Sequence, residues 1–453
     1  FHMVRSFTTL VMLLSGVVLL ATTASAITIA SPTEGQIVRD KVRIVIPRSS
    51  LPMEVSRSGL ICIKVDGRFC AAIDASATAT DRKSPVSTSI VYVWDSKAVI
   101  KDPNPNIPAD QRRYRDGRHE ITVEAHGISG DARKESIIES AKVVVNLQNT
   151  VQRPNPAPPV NLKYRYYLGQ QSIYRVSVTG EILSATGYSL TGGQFPIAGG
   201  FDIIQSVEDV LPDGSGLIRY KVDKDSAYTN IFGQLNLLRY STRFPSVYRI
   251  MDSSARVLDA NVLSGKVKTE IADCLIRMPG RPVQVGDTWP NEIKMKLEGL
   301  SALSNLTGQS TVESFEWEGG FECAKINSRL SGDATFYFPP VNGAPARINA
   351  HNIAYFAYKP GKLVKDVTEI EISASMDTAT LNTLQQQQQV PSMTSGLYGG
   401  GMPSGPASMG TAPPLVTGTG RSTGGYNSGS GTQGSGMTAI KIRLTITKEL
   451  VRK

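Results

Sequence analysis

The chain has 453 residues, a formal net charge of +9 and 40% hydrophobic residues. This length exceeds what a single hydrophobic core usually organises, so the sequence predicts two or more domains. The positive charges are scattered, and the densest basic cluster, at 112–118, is interrupted by acidic residues. This pattern favours a solvated loop over a nucleic-acid surface, while weak attraction to anionic cell-wall polymers or lipid headgroups stays an alternative.

The N-terminal segment has the pattern of a secretory signal peptide. Arg5 supplies a positive charge, and the apolar run at 10–20 that follows is too short for a membrane span. Ala24-Ser25-Ala26 is typical of a cleavage site. We therefore predict a signal peptide at 1–26 and a mature chain without a transmembrane span. That chain is exported to the periplasm or the cell surface, and an uncleaved membrane anchor is the alternative.

Residues 27–147 alternate between strand-like runs and turns. Each run is rich in β-branched or aromatic residues and is bounded by Gly, Pro, Asp or Ser. The spacing resembles that of an immunoglobulin-like β-sandwich, which has about seven strands in a unit of this size. The runs lie at 27–30, 42–46, 61–65, 69–73, 89–94, 119–125 and 142–147.

Several pieces of this unit also resemble bacterial immunoglobulin-like modules, and they occur in the expected order. Residues 29–35 and the run after them look like the opening strands of such a module, and Val65-Asp66-Gly67 looks like its central hairpin. The resemblance implies a β-sandwich over 27–147. It also implies structural roles, including a hydrogen bond made by the histidine, for Asp66, Gly67, Trp94, Asp95, Asp116, Gly117 and His119.

The four cysteines suggest two local disulfides. Cys62 and Cys70 lie in the first unit, and Cys274 and Cys323 lie further on. An even count in an exported protein favours disulfides, although three pairings are possible. If the hairpin around Asp66-Gly67 has a three-residue loop, Cys62 lies opposite Cys70. Reduced thiols are the alternative, and no spacing typical of a metal site occurs.

The rest of the chain divides by composition. The Pro-rich segment 148–160 favours extended polyproline geometry and is predicted to be a spacer. Residues 161–383 carry longer alternating runs, which predict a large antiparallel β domain, either a curved sheet or a half-barrel. Residues 384–438 are rich in Gly, Ser, Gln and Met, which predicts a disordered insertion. Alternation returns at 439–453, which predicts a last strand of the same β domain.

The segment 282–289 contains the sequence Val-Gly-Asp-Thr-Trp, which resembles a piece of a group of uncharacterised secreted bacterial β-rich proteins. In that group the piece is a turn that leads into a strand. The resemblance implies that Gly286 permits the turn, that Asp287 or Thr288 caps backbone amides, and that Trp289 fills the core. It implies a fold rather than an activity.

A search for reactive groups finds no recognisable motif. No Gly-x-Ser-x-Gly elbow, Gly-rich phosphate loop or His-Glu-x-x-His helix occurs in the sequence. Glu369 and Glu371 share one face of a predicted strand, but apolar neighbours alternate with them, so a solvated sheet face is favoured over the paired carboxylates of a glycosidase. His351 stands alone in a predicted strand. We therefore predict no catalytic residue, cofactor or metal, and we expect these polar residues to stay apart.

The remaining candidate is a group of tyrosines that could form an apolar or carbohydrate-binding surface, although core packing explains them equally well: Tyr164, Tyr166, Tyr167 and Tyr174. The leading hypothesis is a non-enzymatic envelope or cell-surface protein that acts in binding, adhesion or structure through its β-sheet surfaces. Its partner would be an envelope polymer, another protein or a second copy of itself. The alternatives are a periplasmic carrier of a lipid-like hydrophobic ligand and a cell-wall glycan-active enzyme.

Overall fold

The computed structural model shows a mainly β fold with one large antiparallel sheet, which confirms the predicted fold class. Residues 1–25 of the predicted signal peptide, residues 384–436 of the predicted disordered insertion and Cys274 lie outside the residues that the structure describes. Met437 and Thr438, which were predicted to belong to the insertion, lie in a strand. Those residues are 26–76, 87–100, 112–128, 135–184, 197–223, 228–231, 234–237, 246–259, 276–295, 304–338, 341–377 and 437–452.

The N-terminal unit consists of two small sheets around one hydrophobic core. A five-stranded sheet has the order β1-β7-β6-β3-β4, and β2 pairs with β5 in a separate ribbon. Both sheets contribute buried aliphatic side chains to the same cluster, which is the two-layer arrangement of a sandwich. The elements are β1 (Ile37–Val38), β2 (Lys41–Pro47), a 3-10 turn (Arg48–Ser50), α1 (Met53–Ser58), β3 (Leu60–Val65), β4 (Arg68–Asp74), β5 (Ser89–Asp95), β6 (Gly117–Ile128) and β7 (Glu135–Leu147).

The second unit is a single antiparallel sheet. Its strands are β8 (Gln171–Ser184), β9 (Ile197–Val210), β10 (Gly216–Val222), β11 (Tyr228–Ile231), β12 (Gln234–Leu237), β13 (Val247–Met251), β14 (Val257–Asp259), β15 (Thr288–Met295), β16 (Ser304–Glu318), β17 (Phe321–Phe338), β18 (Val341–Ala357), β19 (Lys362–Asp377) and β20 (Met437–Arg452). The order is β14-β13-β10-β9-β8-β20-β19-β18-β17-β16-β15, and the short pair β11 and β12 is attached to β9. The last strand, β20, therefore lies between β8 and β19.

One face of this sheet is buried in a continuous core. Successive side chains of a strand point to opposite faces, so every second residue lies on the same face. On β19, Ile370 and Ile372 belong to the core, and on β20 Ile442 and Leu444 do so. The segment before β8 packs against the same core through Leu162. The other face of the long strands carries mostly polar side chains.

The Pro-rich segment is hydrogen-bonded to the second unit at both ends. Val151 N donates to Phe315 O over 2.9 Å. At the far end, Val160 and Val283 exchange two backbone hydrogen bonds of 2.7 and 2.8 Å. The segment that was predicted to be a spacer thus continues the backbone pairing of the second unit.

Buried charges connect the N-terminal unit to the polar face of the large sheet. Lys97 Nζ lies 2.8 Å from Glu318 and 3.3 Å from Glu316, and Lys365 Nζ lies 3.3 Å from Glu318. Glu318 is only 2% exposed. Asp40 accepts a hydrogen bond of 2.8 Å from Gly319 N, and burial together with the nearby Glu318 raises the pKa of Asp40. Lys97 and Asp40 of the N-terminal unit thus contact the second unit through buried polar groups.

The hairpin that carries the first two cysteines has a shorter loop than predicted. Asp66 and Gly67 form a two-residue loop with φ values of 51° and 74°, so both residues are in the left-handed region that a type I′ turn requires. A bulge then leaves Cys70 unpaired in the register, and Cys62 lies opposite Ala72.

The predicted disulfide between Cys62 and Cys70 is therefore wrong. Cys70 packs on the core side of the sheet, where its Sγ lies 4.0 Å from Tyr114 Oη. No disulfide links the described cysteines, Cys62, Cys70 and Cys323.

Replacing Lys97 by methionine should lower the stability of the protein. The change leaves the buried Glu318 carboxylate with Lys365 as its remaining described ion-pair partner, and removing one member of a buried pair costs about 3 kcal/mol. The free energy of unfolding can be measured by urea titration followed by tryptophan fluorescence. The control is Lys142→Met, which breaks an exposed ion pair with Glu120 and should change the same quantity much less, because solvent screens an exposed pair. Equal effects of the two substitutions would contradict the role given to Lys97.

Candidate functional site

A groove of about 1000 Å³ crosses five neighbouring strands of the large sheet: β8, β20, β19, β18 and β17. Its floor is a row of residues that lie directly opposite one another on successive strands. The non-glycine side chains of this row are only 2–4% exposed and belong to the core, so the groove meets their backbone. The row is Gly180, Leu444, Ile370, Ala350 and Leu330.

Two flanking rows form the walls of the groove. Their side chains leave the sheet on the face opposite to the core, because neighbouring residues of a strand alternate between faces. Every side chain in the two rows is polar or charged. In strand order, one row is Thr179, Thr445, Glu369, His351 and Arg329, and the other is Glu181, Arg443, Glu371, Asn349 and Ser331.

The middle of the second row is electrostatically neutralised within the protein. Glu371 lies 3.1 Å from Lys441 Nζ and 3.5 Å from Arg443 Nε. The hydrogen bond from Lys441 is the main reason that the pKa of Glu371 is below its usual value. Glu371 is therefore a carboxylate at neutral pH and has little tendency to act as an acid.

The first row contains two exposed charged residues, Glu369 and Arg329. The side chain of Glu369 is 68% exposed, and its oxygen lies 3.7 Å from His351 Nδ1. The other ring nitrogen of His351 lies 3.0 Å from Asn327 Oδ1, which fixes the orientation of the ring. Arg329 is the next residue in the row, directly opposite His351 on β17.

The prediction that His351, Glu369 and Glu371 stay apart is wrong. The structure brings His351, Glu369 and Glu371 to one open groove. The sequence showed that the two glutamates share a strand face, but it did not place His351 beside them. The turn at 358–361 was the feature of the sequence that could have indicated this proximity, because the pairing of β18 with β19 can be counted from it. A bulge at Tyr355/Phe356 shifts that count by one residue.

The predicted tyrosine surface is wrong for three of its four members. Tyr164, Tyr166 and Tyr174 are buried in the second unit, and the rings of Tyr164 and Tyr166 are stacked with centroids 6.4 Å apart. The cavity beside them has a volume of about 20 Å³, which has room for little more than a water molecule. Tyr167 is the exception, with 54% of its surface exposed. Core packing, the alternative interpretation, accounts for the buried three.

His119 and Trp94 have structural roles in the N-terminal unit. His119 Nδ1 lies 2.6 Å from Asp66 Oδ2, and Nε2 lies 2.7 Å from the carbonyl oxygen of Arg115. Both ring nitrogens are thus occupied by hydrogen bonds that hold the hairpin loop against β6. Trp94 is buried and meets the ring of Tyr114 edge-on, with centroids 5.1 Å apart.

The aspartates of the same unit cap backbone amides. Asp95 accepts a hydrogen bond of 3.0 Å from Lys97 N, which forms the turn that presents Lys97 to the second unit. Asp116 accepts a hydrogen bond of 2.7 Å from Asn149 N at the start of the connecting segment. Gly117, with a φ of 141°, follows in a conformation that other residues rarely adopt. These three residues therefore position the junction between the units.

The Val-Gly-Asp-Thr-Trp segment also has a structural role. Gly286 has a φ of 90°, and Asp287 accepts a hydrogen bond of 3.0 Å from Gln284 N across the turn. Thr288 begins β15. Trp289 is buried, and its indole nitrogen donates to Arg277 O over 2.8 Å. This segment contributes to the core and not to the groove.

A buried polar cluster on the core face was not anticipated from the sequence. Asp366 accepts hydrogen bonds from Asn352 Nδ2 and from Thr368 Oγ1, the latter over 3.0 Å. Burial raises the pKa of Asp366 to about 6. The sequence around Asp366 contains no motif that would indicate that this residue is buried in the core.

Comparisons with protein families, with curated proteins and with solved structures found no match. Across the described ranges, no helix has the length and apolar character needed to cross a membrane. In the same part of the chain, no three or more His, Cys, Asp or Glu side chains are grouped so that they could hold a metal ion.

Asp366 should make the stability of the protein depend on pH. Its pKa is about 6 in the folded protein and about 3.8 in an unfolded chain, so the folded state binds the proton more tightly. Its contribution to the free energy of unfolding is therefore largest below pH 4 and falls by about 3 kcal/mol as the pH rises to above 6.

The measurement is urea unfolding at pH 4 and at pH 7.5 for the wild type and for Asp366→Asn. At pH 4 the carboxyl of the unfolded chain is already more than half ionised, so the difference in stability between the two proteins should change by about 2 kcal/mol between these pH values. Asp333→Asn is the control, because that side chain is 90% exposed. A difference that stays constant with pH would refute the assignment.

Proposed function

We propose that this protein is an exported envelope or cell-surface protein that binds an extended polar ligand in the groove across β8, β20, β19, β18 and β17. The observation that carries the proposal is the groove itself, in which two continuous rows of polar side chains stand above a backbone floor. Neighbouring strands lie about 4.8 Å apart, so the floor of five strands is about 19 Å long. A ligand that contacts all five strands must therefore be extended.

The proposal that the protein is exported rests on the N-terminal sequence, with its short apolar run and Ala-Ser-Ala site. An envelope polymer, a second protein or another copy of this chain would each present an extended polar segment. The solid packing around Tyr164, Tyr166 and Tyr174 offers a lipid-like ligand no space at that position, because the adjoining cavity holds only about 20 Å³. The polar groove is the more suitable binding site.

A glycan-active enzyme is the second candidate, and the grouping of His351, Glu369 and Glu371 is the observation that favours it. Glycoside hydrolysis usually needs two carboxyl groups on opposite sides of the scissile bond, one of them with a raised pKa. Here the two glutamates project side by side from one strand, and ion pairs with Lys441 and Arg443 keep Glu371 ionised. These features support binding better than acid catalysis.

The test of this function is native mass spectrometry of the protein isolated from its own envelope fraction. The wild type should carry an additional mass or a protein partner. Glu369→Lys, which reverses a groove charge whose side chain is 68% exposed, should lower the retained fraction at least tenfold, equivalent to about 1.4 kcal/mol of binding free energy.

Glu54→Lys is the matched control for this experiment. It makes the same charge reversal on an exposed residue of the N-terminal unit, away from the groove, and should retain as much ligand as the wild type. Equal retention by all three proteins would exclude the groove as the binding site. Release of reducing sugar from cell-wall glycan, lost in Glu369→Gln, would instead establish the enzyme.

A further inference from the structure

We infer that the ligand of the groove is a polypeptide segment that carries both acidic and basic side chains, and not a uniformly charged polymer or a neutral glycan. The inference rests on the proposed function. Its basis is the distribution of those groove charges that the protein does not neutralise itself.

Charges of both signs remain available along the groove. Glu371 is occupied by Lys441 and Arg443. By contrast, no described carboxylate forms an ion pair with Arg329, and no described Lys or Arg forms one with Glu369. A ligand can therefore meet one positive and one negative group in the same row, with His351 between them.

A second open carboxylate lies at the other end of the groove. Glu181 is directly opposite Arg443 in the register, but the guanidinium of Arg443 is directed to Glu371, and no ion pair joins Glu181 to a described residue. A polyanion would thus meet Arg329 favourably and then two carboxylates, Glu369 and Glu181, unfavourably. A polycation would be attracted by the two carboxylates and repelled by Arg329. Like charges brought close together at a partly desolvated surface oppose binding, so both uniform polymers are disfavoured.

The spacing of the open charges suits a peptide. Arg329 and Glu369 are separated by two strand spacings, or about 9.6 Å. In an extended peptide, side chains two residues apart project on the same side about 6.7 Å from each other, and long acidic and basic side chains cover the remaining distance. An acidic residue at Arg329 and a basic residue at Glu369 are therefore compatible with one continuous segment.

The composition of the walls argues against a neutral glycan. Sugar rings are commonly held by the flat apolar faces of aromatic side chains, which supply contact area with little loss of entropy. The fifteen residues that line the groove include no Tyr, Trp or Phe. Ten of them carry charged, imidazole, amide or hydroxyl side chains, and the other five are the glycine and apolar residues of the floor. The polar groups of the walls pair readily with the amides and charges of another polypeptide.

The experiment measures the fluorescence anisotropy of labelled peptides of equal length with the full chain. One peptide mixes Glu and Lys, one contains only acidic, one only basic, and one only Gly and Ser residues, and labelled dextran serves as the neutral glycan. The mixed peptide should bind at least tenfold more tightly than each of the other probes. Its affinity should fall as salt is raised from 0.05 to 0.5 M, since salt screens exposed charges.

Variants then connect the preference to the groove. Glu369→Lys should move the preference towards the acidic peptide at least tenfold, and Arg329→Glu should move it towards the basic peptide. Glu54→Lys is the control and should leave the order of affinities unchanged. Both groove side chains are exposed, so circular dichroism and the urea midpoint should show that the variants fold like the wild type.

Two outcomes would overturn the inference, and they differ in what they imply for the proposed function. If the acidic peptide, the basic peptide or dextran binds best and Glu369→Lys alters that binding, the groove is a binding site for another class of ligand. If no probe binds and Glu369→Lys also leaves the mass retained from the envelope fraction unchanged, the groove is not a binding site and both proposals fail.

Discussion

The structure depends on the alternation of side chains along the long strands of the large sheet. On β19 and β20, Ile370 and Leu444 enter the core while their neighbours enter the groove. A shift of pairing by one residue would expose these apolar side chains and bury charged ones, at a cost that the protein could not offset. Burial of one face therefore fixes the register, and the register in turn fixes which polar residues meet on the other face.

The polar face is divided between two uses. At one end it receives the N-terminal unit, through Lys97 and the buried Glu318, beside Tyr355 of β18. His351 lies on the same strand and the same face, four residues or roughly 13 Å further along. The charges that attach the N-terminal unit and the groove are therefore parts of one surface, which places a second body next to any ligand bound at His351.

Opposite surroundings on the two faces of β19 give its acids opposite properties. Asp366 is enclosed on the core side, and burial raises its pKa to about 6. Glu371 stands on the groove side, where Lys441 and Arg443 lower its pKa. Asp366 and Glu371 are five residues apart on one strand, an odd number, so they lie on opposite faces, and the pKa is raised inside and lowered outside.

The sequence by itself determined the β class, the long alternating strands and the face shared by Glu369 and Glu371, because a period of two is a local property of the chain. Only the tertiary structure decided which residues meet across strands. In the first hairpin, the two-residue loop and the bulge at Cys70 each shift the predicted pairing by one residue, which separates Cys62 from Cys70. A bulge at Tyr355/Phe356 shifts the pairing of β18 with β19 by one residue, which places His351 opposite Glu369. The burial of Tyr164 likewise depends on core residues that are distant in the sequence. Bulges and burial follow from the packing of the whole core, which no short stretch of sequence records.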